Sequence, residues 1–254
     1  MIFYGKTDTG KKRTENQDCF GYKKLDNGML ILAVCDGMGG ANGGKTASTL
    51  ALDAFLSFCE SELPLVQDPA SIKSVLSSAV HKANGDVFRT ANENEELRGM
   101  GSTLAAALIL ENSSELYIVN IGDSRIYAIS SLECNQLSHD HSYVQYLVDI
   151  GELTPEKARN HPKKNLITKA IGVEESASAD IDKISDAEIC RAENEPVYLL
   201  LCSDGLTGMV NDEDIQKSLV SNPDLSLEEK VNSLVALANK NGGNDNITVI
   251  VHKI

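Results

Sequence analysis

The chain reads as an α+β protein, an antiparallel sheet sandwich with helices on its outer faces. Three observations carry this reading. The strand-like runs between residues 101 and 130 are joined by turns too short for a crossover helix, which forces antiparallel pairing. Helical periodicity comes in pairs, at 46–92 and 212–241, instead of alternating with strands. Finally, no composition shift, proline-rich linker or repeat divides the 254 residues, so one domain over 1–254 with a substantial core is expected.

In chain order, strands are expected near 2–9, 18–24 and 29–35. The third holds the unbroken apolar run Met29-Leu30-Ile31-Leu32-Ala33-Val34, the pattern of a buried strand. Helical spacing follows over Thr46–Glu60 and Pro69–Asn92, then strands near 101–111, 115–121 and 125–130. From His139 to about Ser178 strand character is weakest. Short helices are expected there at Ser142–Gly151 and Thr154–Asn160, the second with Thr154 as N-cap and Pro155 at the first helical position. Strands near 179–189 and 197–203, a helix over Leu227–Asn241 and a last strand at 246–253 complete the chain.

Composition narrows the partners. With 37 acidic against 23 basic residues the net charge is −14, which argues against nucleic acid or an anionic membrane surface. Met1-Ile2-Phe3-Tyr4 runs straight into polar residues, so no signal-peptide core is present, and no apolar run reaches the length of a membrane span. The six cysteines lack paired spacing and fall mostly in apolar runs, as reduced core thiols of a cytoplasmic protein do. His139 and His141 flank Asp140, yet no further ligand follows at zinc-site spacing.

The chemistry lies at strand ends. The buried run 29–34 leads into Asp36-Gly37-Met38-Gly39-Gly40. Leu116–Ile121 leads into Gly122-Asp123-Ser124, and Val197–Cys202 into Ser203-Asp204-Gly205. Asp245, in Gly243-Asn244-Asp245-Asn246, stands just before the last strand. One aspartate at a strand end is ordinarily a turn or cap residue. Several gathered without compensating bases suggest a hard-cation site of the Mg²⁺ or Mn²⁺ type.

With Arg13-Thr14-Glu15-Asn16-Gln17-Asp18, these strings resemble the metal-dependent protein serine/threonine phosphatases of the 2C type, the PPM family, in their stand-alone bacterial form. The family order is Arg-x-x-Asn-x-Asp, Asp-Gly-x-Gly-Gly, Gly-Asp-Ser-Arg, Ser-Asp-Gly and a terminal Asp-Asn. All five occur here in order, over nearly the whole chain. The resemblance implies a four-layer αββα sandwich and a flap beside the active site over about 139–178. It implies hydrolysis of phosphoserine and phosphothreonine in proteins by a metal-activated water, at two Mn²⁺ or Mg²⁺ ions roughly 4 Å apart. Asp36 would bridge the ions, Asp204 and Asp245 would complete the first, and the Gly37 carbonyl would serve the second. Asp18 would hydrogen-bond waters behind them, with Glu15 and Asn16 weaker candidates for that role, and Arg13 would grip the substrate phosphate. Asp123 would hold a third ion near the flap, or else only build the turn with Arg125. Ser102-Thr103 reads as structural, and Asn246 as orienting the ligand or its loop. Phosphorylated proteins, Ser/Thr kinases and the kinases' substrates are the implied partners.

The chain departs from the pattern in two places. Many bacterial members carry histidine where Ala41 stands, and animal-type members carry their proposed general acid where Met38 stands. Protonation of the leaving alkoxide then falls to water on a metal or to a flap group. Two other readings stay open from sequence: a catalytically inactive binding protein on the same fold, and a P-loop nucleotide triphosphatase. The latter rests on Gly39-Gly40-Ala41-Asn42-Gly43-Gly44-Lys45-Thr46.

Overall fold

The computed structural model describes residues 3–25, 28–40, 43–110, 116–189 and 195–254. The expectations at Ile2, Ala41, Asn42, Glu111, Glu115 and Cys190 therefore lie outside the described residues. The chain opens with β1 (Phe3–Asp8), β2 (Asp18–Lys24) and β3 (Met29–Met38), then helices α1 (Gly43–Glu62) and α2 (Pro69–Glu93). β4 (Gly101–Ser102), β5 (Leu104–Leu110), β6 (Leu116–Ile121), β7 (Arg125–Ile129) and β8 (Cys134–Gln136) follow. The short helices α3 (Tyr143–Asp149) and α4 (Pro155–Ala158) lead to β9 (Asp180–Ile184) and β10 (Tyr198–Cys202). Last come α5 (Asp204–Thr207), α6 (Asp212–Val220), α7 (Leu227–Lys240) and β11 (Ile247–Lys253).

One sheet runs β1-β11-β10-β7-β8 and the other β2-β3-β5-β6-β9, with β4 added to the end of β3. Every pairing is antiparallel. This removes the P-loop reading, which needs a parallel sheet built from βα units. The period-2 alternation of strands sorts side chains into layers. On β3, Ile31, Ala33 and Cys35 face α1 and α2, packing with Phe55, Ile72 and Leu76. Leu30, Leu32 and Val34 point the other way, onto Ile126, Leu199, Leu201 and Ile250 of the second sheet. That sheet's outer face, with Tyr198, Leu200 and Val249, meets Ile215, Leu234 and Val235 of α6 and α7. The result is the expected four-layer αββα sandwich.

Local signals set the element ends. Asp68 caps α2 by accepting from the Ser71 amide, ahead of Pro69. Thr154 caps α4 in the same way, and Ser226 with Glu229 forms a capping box on α7. Several boundaries differ from the sequence reading: the strand expected over 101–111 is broken at Thr103, β8 was not expected, and three ends shift for visible reasons. β3 runs on through Asp36 to Met38, because Gly37 and Met38 pair with Ser102 and Gly101 of β4. Helix α1 starts at Gly43, ahead of Thr46, and β9 stops at Ile184 where a short 3₁₀ turn begins at Asp186. Among the described residues no helix is long and apolar enough to cross a membrane.

Candidate active site

Antiparallel pairing puts the acidic strand ends on one rim of the sandwich. The start of β2 lies against the end of β3, so Asp18 sits directly opposite Asp36. The end of β10 pairs beside the start of β11, which brings Ser203-Asp204 to Asp245-Asn246. The end of β6 faces the start of β5, whose neighbour Thr103 is bound to the Asp36 backbone, and this delivers Asp123.

Each acid is held by a second layer. The Asp36 amide donates to Thr103 Oγ1 at 2.9 Å, and its carbonyl accepts from the Thr103 amide at 2.9 Å and Ser102 Oγ at 3.1 Å. Ser102-Thr103 is thus structural, as expected, and it fixes where Asp36 stands. Asp18 is buried, with Oδ2 accepting from Ser203 Oγ at 2.7 Å. Asn246 stitches the 9–17 loop to the rim. Its Oδ1 accepts from the Gln17 amide at 2.8 Å, and its Nδ2 donates to the Thr9 and Glu15 carbonyls at 2.9 Å each. Asn16 shapes the same loop, donating to Thr7 Oγ1 and accepting from the Asp18 amide. Two glycines are set by close approach: a Cβ on Gly37 would overlap the Gly44 carbonyl, and one on Gly205 the Asn246 carbonyl.

The electrostatics are unfavourable for bare carboxylates. Burial, then the charges of Asp18, Asp204, Asp123 and Asp245, hold the Asp36 carboxyl well above its usual range. Burial raises Asp18 to about 7 and Asp204 to about 6. Asp123 is pushed well up by burial and then by Asp204 and Asp140. Asp18 Oδ1 and Asp204 Oδ1 are buried with no hydrogen-bond partner. Crowded, mutually repelling carboxylates with orphaned oxygens fit oxygen-seeking divalent cations. Among the described residues no three acidic, His or Cys side chains stand close enough together to hold a metal ion by themselves.

Arg13 is brought to the cluster, but bound: Nη2 donates to Asp245 Oδ2 at 2.8 Å. Its side chain stays 52% exposed, so its other edge is open to a ligand. Arg125, by contrast, is engaged in structure, forking onto Asp140 at 2.7–3.0 Å and donating to Tyr127 OH. His141, also buried, accepts from the Gly122 amide through Nδ1 at 3.2 Å and so braces the Asp123 loop. The positive charge of Lys164, between α4 and β9, favours the Asp204 anion. Met38 borders a cavity of about 290 Å³, shared with Ile121, Lys169 and Val173. Sequence reasoning did not find Thr103, Lys164 or His141 in these roles. Ser203 was within reach, since its motif neighbour Asp204 was already singled out.

Residues 8–248 match the family described as Protein phosphatase 2C. The chain is 36% identical over 250 residues to the serine/threonine phosphatase stp of Listeria monocytogenes, covering 97% of this chain and 93% of that one. It is 37% identical over 244 residues to the protein phosphatase PhpP of Streptococcus pneumoniae, covering 96% and 93% respectively. The solved serine/threonine phosphatase Stp1 from Staphylococcus aureus superposes with a TM-score of 0.89 at 36% identity, over 100% of this chain and 95% of that one. Family, relatives and fold agree from end to end, and the chain belongs to the protein phosphatase 2C family.

Proposed function

We propose that this chain is a single catalytic domain that hydrolyses phosphoserine and phosphothreonine monoesters in proteins at a binuclear Mn²⁺ or Mg²⁺ centre on the acidic rim. The observation that carries the reading is the set of crowded, mutually repelling carboxylates at Asp18, Asp36 and Asp204, the first of them buried and two of them with unpartnered oxygens. Asp36 would be the ligand shared between the ions, Asp204 and Asp245 would serve the first, and the Gly37 carbonyl would serve the second. Asp123 offers a looser third position near the flap. When bound, such ions neutralise the phosphoryl oxygens and lower the pKa of the attacking water.

The chain's own residues do the rest. Ser203 holds Asp18 behind the ligands, where it can orient solvent. Asp245 aims the Arg13 guanidinium, whose free donors bind two phosphoryl oxygens. Lys164 brings positive charge over the rim from the flap. No histidine occupies the described part of the Asp36–Gly40 segment, so the chain supplies no imidazole there to protonate the leaving alkoxide. The partners are phosphorylated proteins, with Ser/Thr kinases and their substrates the natural set, in the cytoplasm.

The direct test is hydrolysis of p-nitrophenyl phosphate and of a phosphothreonine peptide with Mn²⁺, Mg²⁺ or EDTA. Activity with the metals and none with EDTA is expected, and equal activity in EDTA contradicts the reading. Arg13→Ala is expected to raise KM and lower kcat/KM about 10–100-fold, from loss of a charged hydrogen bond worth roughly 1.5–3 kcal/mol. Unchanged values return Arg13 to the surface. Asp123→Ala is expected to leave tight metal binding intact but cut turnover strongly, with little rescue by added Mn²⁺. Full turnover with a lowered Tm would make Asp123 a turn residue only.

A further inference from the structure

Cys19 and Cys35 are directly opposite one another on β2 and β3, one position inside the Asp18–Asp36 pair. Both belong to the helix-facing layer, side by side on the same face of the two strands. Cys35 is fully buried, while Cys19 is partly exposed. The other described cysteines are not paired across strands in this way: Cys59 lies on α1, Cys134 faces Ile129, and Cys202 is flanked by Arg125 and Val249. Opposed residues of an antiparallel pair have Cα atoms about 4.5–5.5 Å apart, inside the roughly 4.4–6.8 Å range of disulfides.

We propose that Cys19 and Cys35 form an oxidation site, a dithiol that a peroxide converts to a cross-strand disulfide and that thereby turns the adjoining centre down. The partly exposed Cys19 thiol attacks the peroxide, the O–O bond breaks, and Cys19 becomes a sulfenic acid as one water leaves. Cys35 Sγ then attacks that sulfur, the S–O bond breaks, and a second water departs with the Cys35 proton. Two thiols have lost two electrons, and one hydrogen peroxide has become two waters. The consequence follows from distance. Opposed Cβ atoms stand about 4.5–5.5 Å apart, whereas a disulfide holds them near 3.8 Å. Closure therefore pulls the two Cβ atoms together by roughly 1 Å and tilts the strand segments that carry them, beside the two aspartates on which the centre depends. A displacement of that size costs on the order of 100-fold in a positioned active site. The regulatory half of this inference rests on the phosphatase reading above; the chemical half does not.

The experiment exposes the Mn²⁺-loaded protein to hydrogen peroxide, quenches with catalase, and divides the sample between peptide mass mapping and hydrolysis of a phosphothreonine peptide. A linked peptide pair containing Cys19 and Cys35, short of two hydrogens, is expected. So is a 10–100-fold loss of turnover that dithiothreitol restores. Cys19→Ser is expected to match the reduced wild type and to resist peroxide. Cys35→Ala, which leaves no buried hydroxyl, is expected to do the same. Absence of the linked peptide, a link with unchanged turnover, or equal inactivation of Cys19→Ser would each overturn the proposal. Lack of metal-dependent hydrolysis by the reduced wild type would instead overturn the phosphatase reading, and the mass map would still decide whether the disulfide forms.

Discussion

Asp204→Asn is expected to abolish most turnover while the protein folds normally. Asp204 is the first residue of the short helix α5, with Ser203 as its N-cap, and an amide of the same size fills the same space at that position. Its Oδ1 is buried without a partner, and the group lies in a field of other carboxylates. An amide cannot supply the negative oxygen a divalent ion needs. A loss of several kcal/mol of charge stabilisation corresponds to a fall on the order of 10³-fold in kcat/KM. Asp245→Asn is expected to fall in the same direction, with an added KM effect because Arg13 loses the carboxylate that aims it. The check is steady-state kinetics at saturating Mn²⁺ with circular dichroism on the same sample. Near wild-type turnover in Asp204→Asn removes that residue from the centre.

Stability against pH is expected to run opposite to that of an ordinary salt-bridged aspartate. Asp18 and Asp204 have folded-state values of about 7 and about 6, raised mainly by burial. In the unfolded chain both ionise near the usual value of about 3.9. Below that pH both states are protonated and nothing changes. Between roughly pH 4 and 7 the folded state holds more protons, so metal-free stability falls as pH rises, and above that the penalty is constant. Asp18→Asn removes one buried charge yet keeps an oxygen to accept from Ser203. Its metal-free Tm is therefore expected to exceed wild type at pH 8 and to converge with it at pH 4. Mn²⁺ is expected to raise the wild-type Tm more at pH 8 than at pH 5, since protons compete for the same oxygens. Turnover of Asp18→Asn is expected to drop by about 10–100-fold, the usual cost of losing a group that orients a metal's surroundings. An Asp18→Asn Tm below wild type at pH 8 would show that the carboxylate is not strained there.

Much of the layering was legible because period 2 and period 3.6 are local properties. The alternation of Leu30, Leu32 and Val34 against Ile31, Ala33 and Cys35 puts a sheet on one side of β3 and helices on the other. Short turns around 122–124 forced the antiparallel order that rules out a nucleotide-binding loop at Gly39–Thr46. The acids at 18, 36, 123, 204 and 245 were readable for a similar reason, each flanked by its own strand and turn signal. What escaped was contact between distant segments. That Gly37 pairs with Ser102 and so prolongs β3, or that Arg13 meets Asp245, depends on strand register and loop path. Neither leaves a trace in neighbouring residues. His141 bracing Gly122 is likewise a tertiary fact. The bracing of Asp36 by Thr103 lay nearer to hand, in a dipeptide already read as structural.

The most direct test is an anomalous-difference map at the manganese edge from crystals grown with MnCl₂. The proposed centre requires two peaks on the rim, both within coordination distance of Asp36. One should also be touched by Asp204 and Asp245, and the other by the Gly37 carbonyl. A map with no manganese at these four groups, from protein that is active with Mn²⁺ in solution, would contradict it.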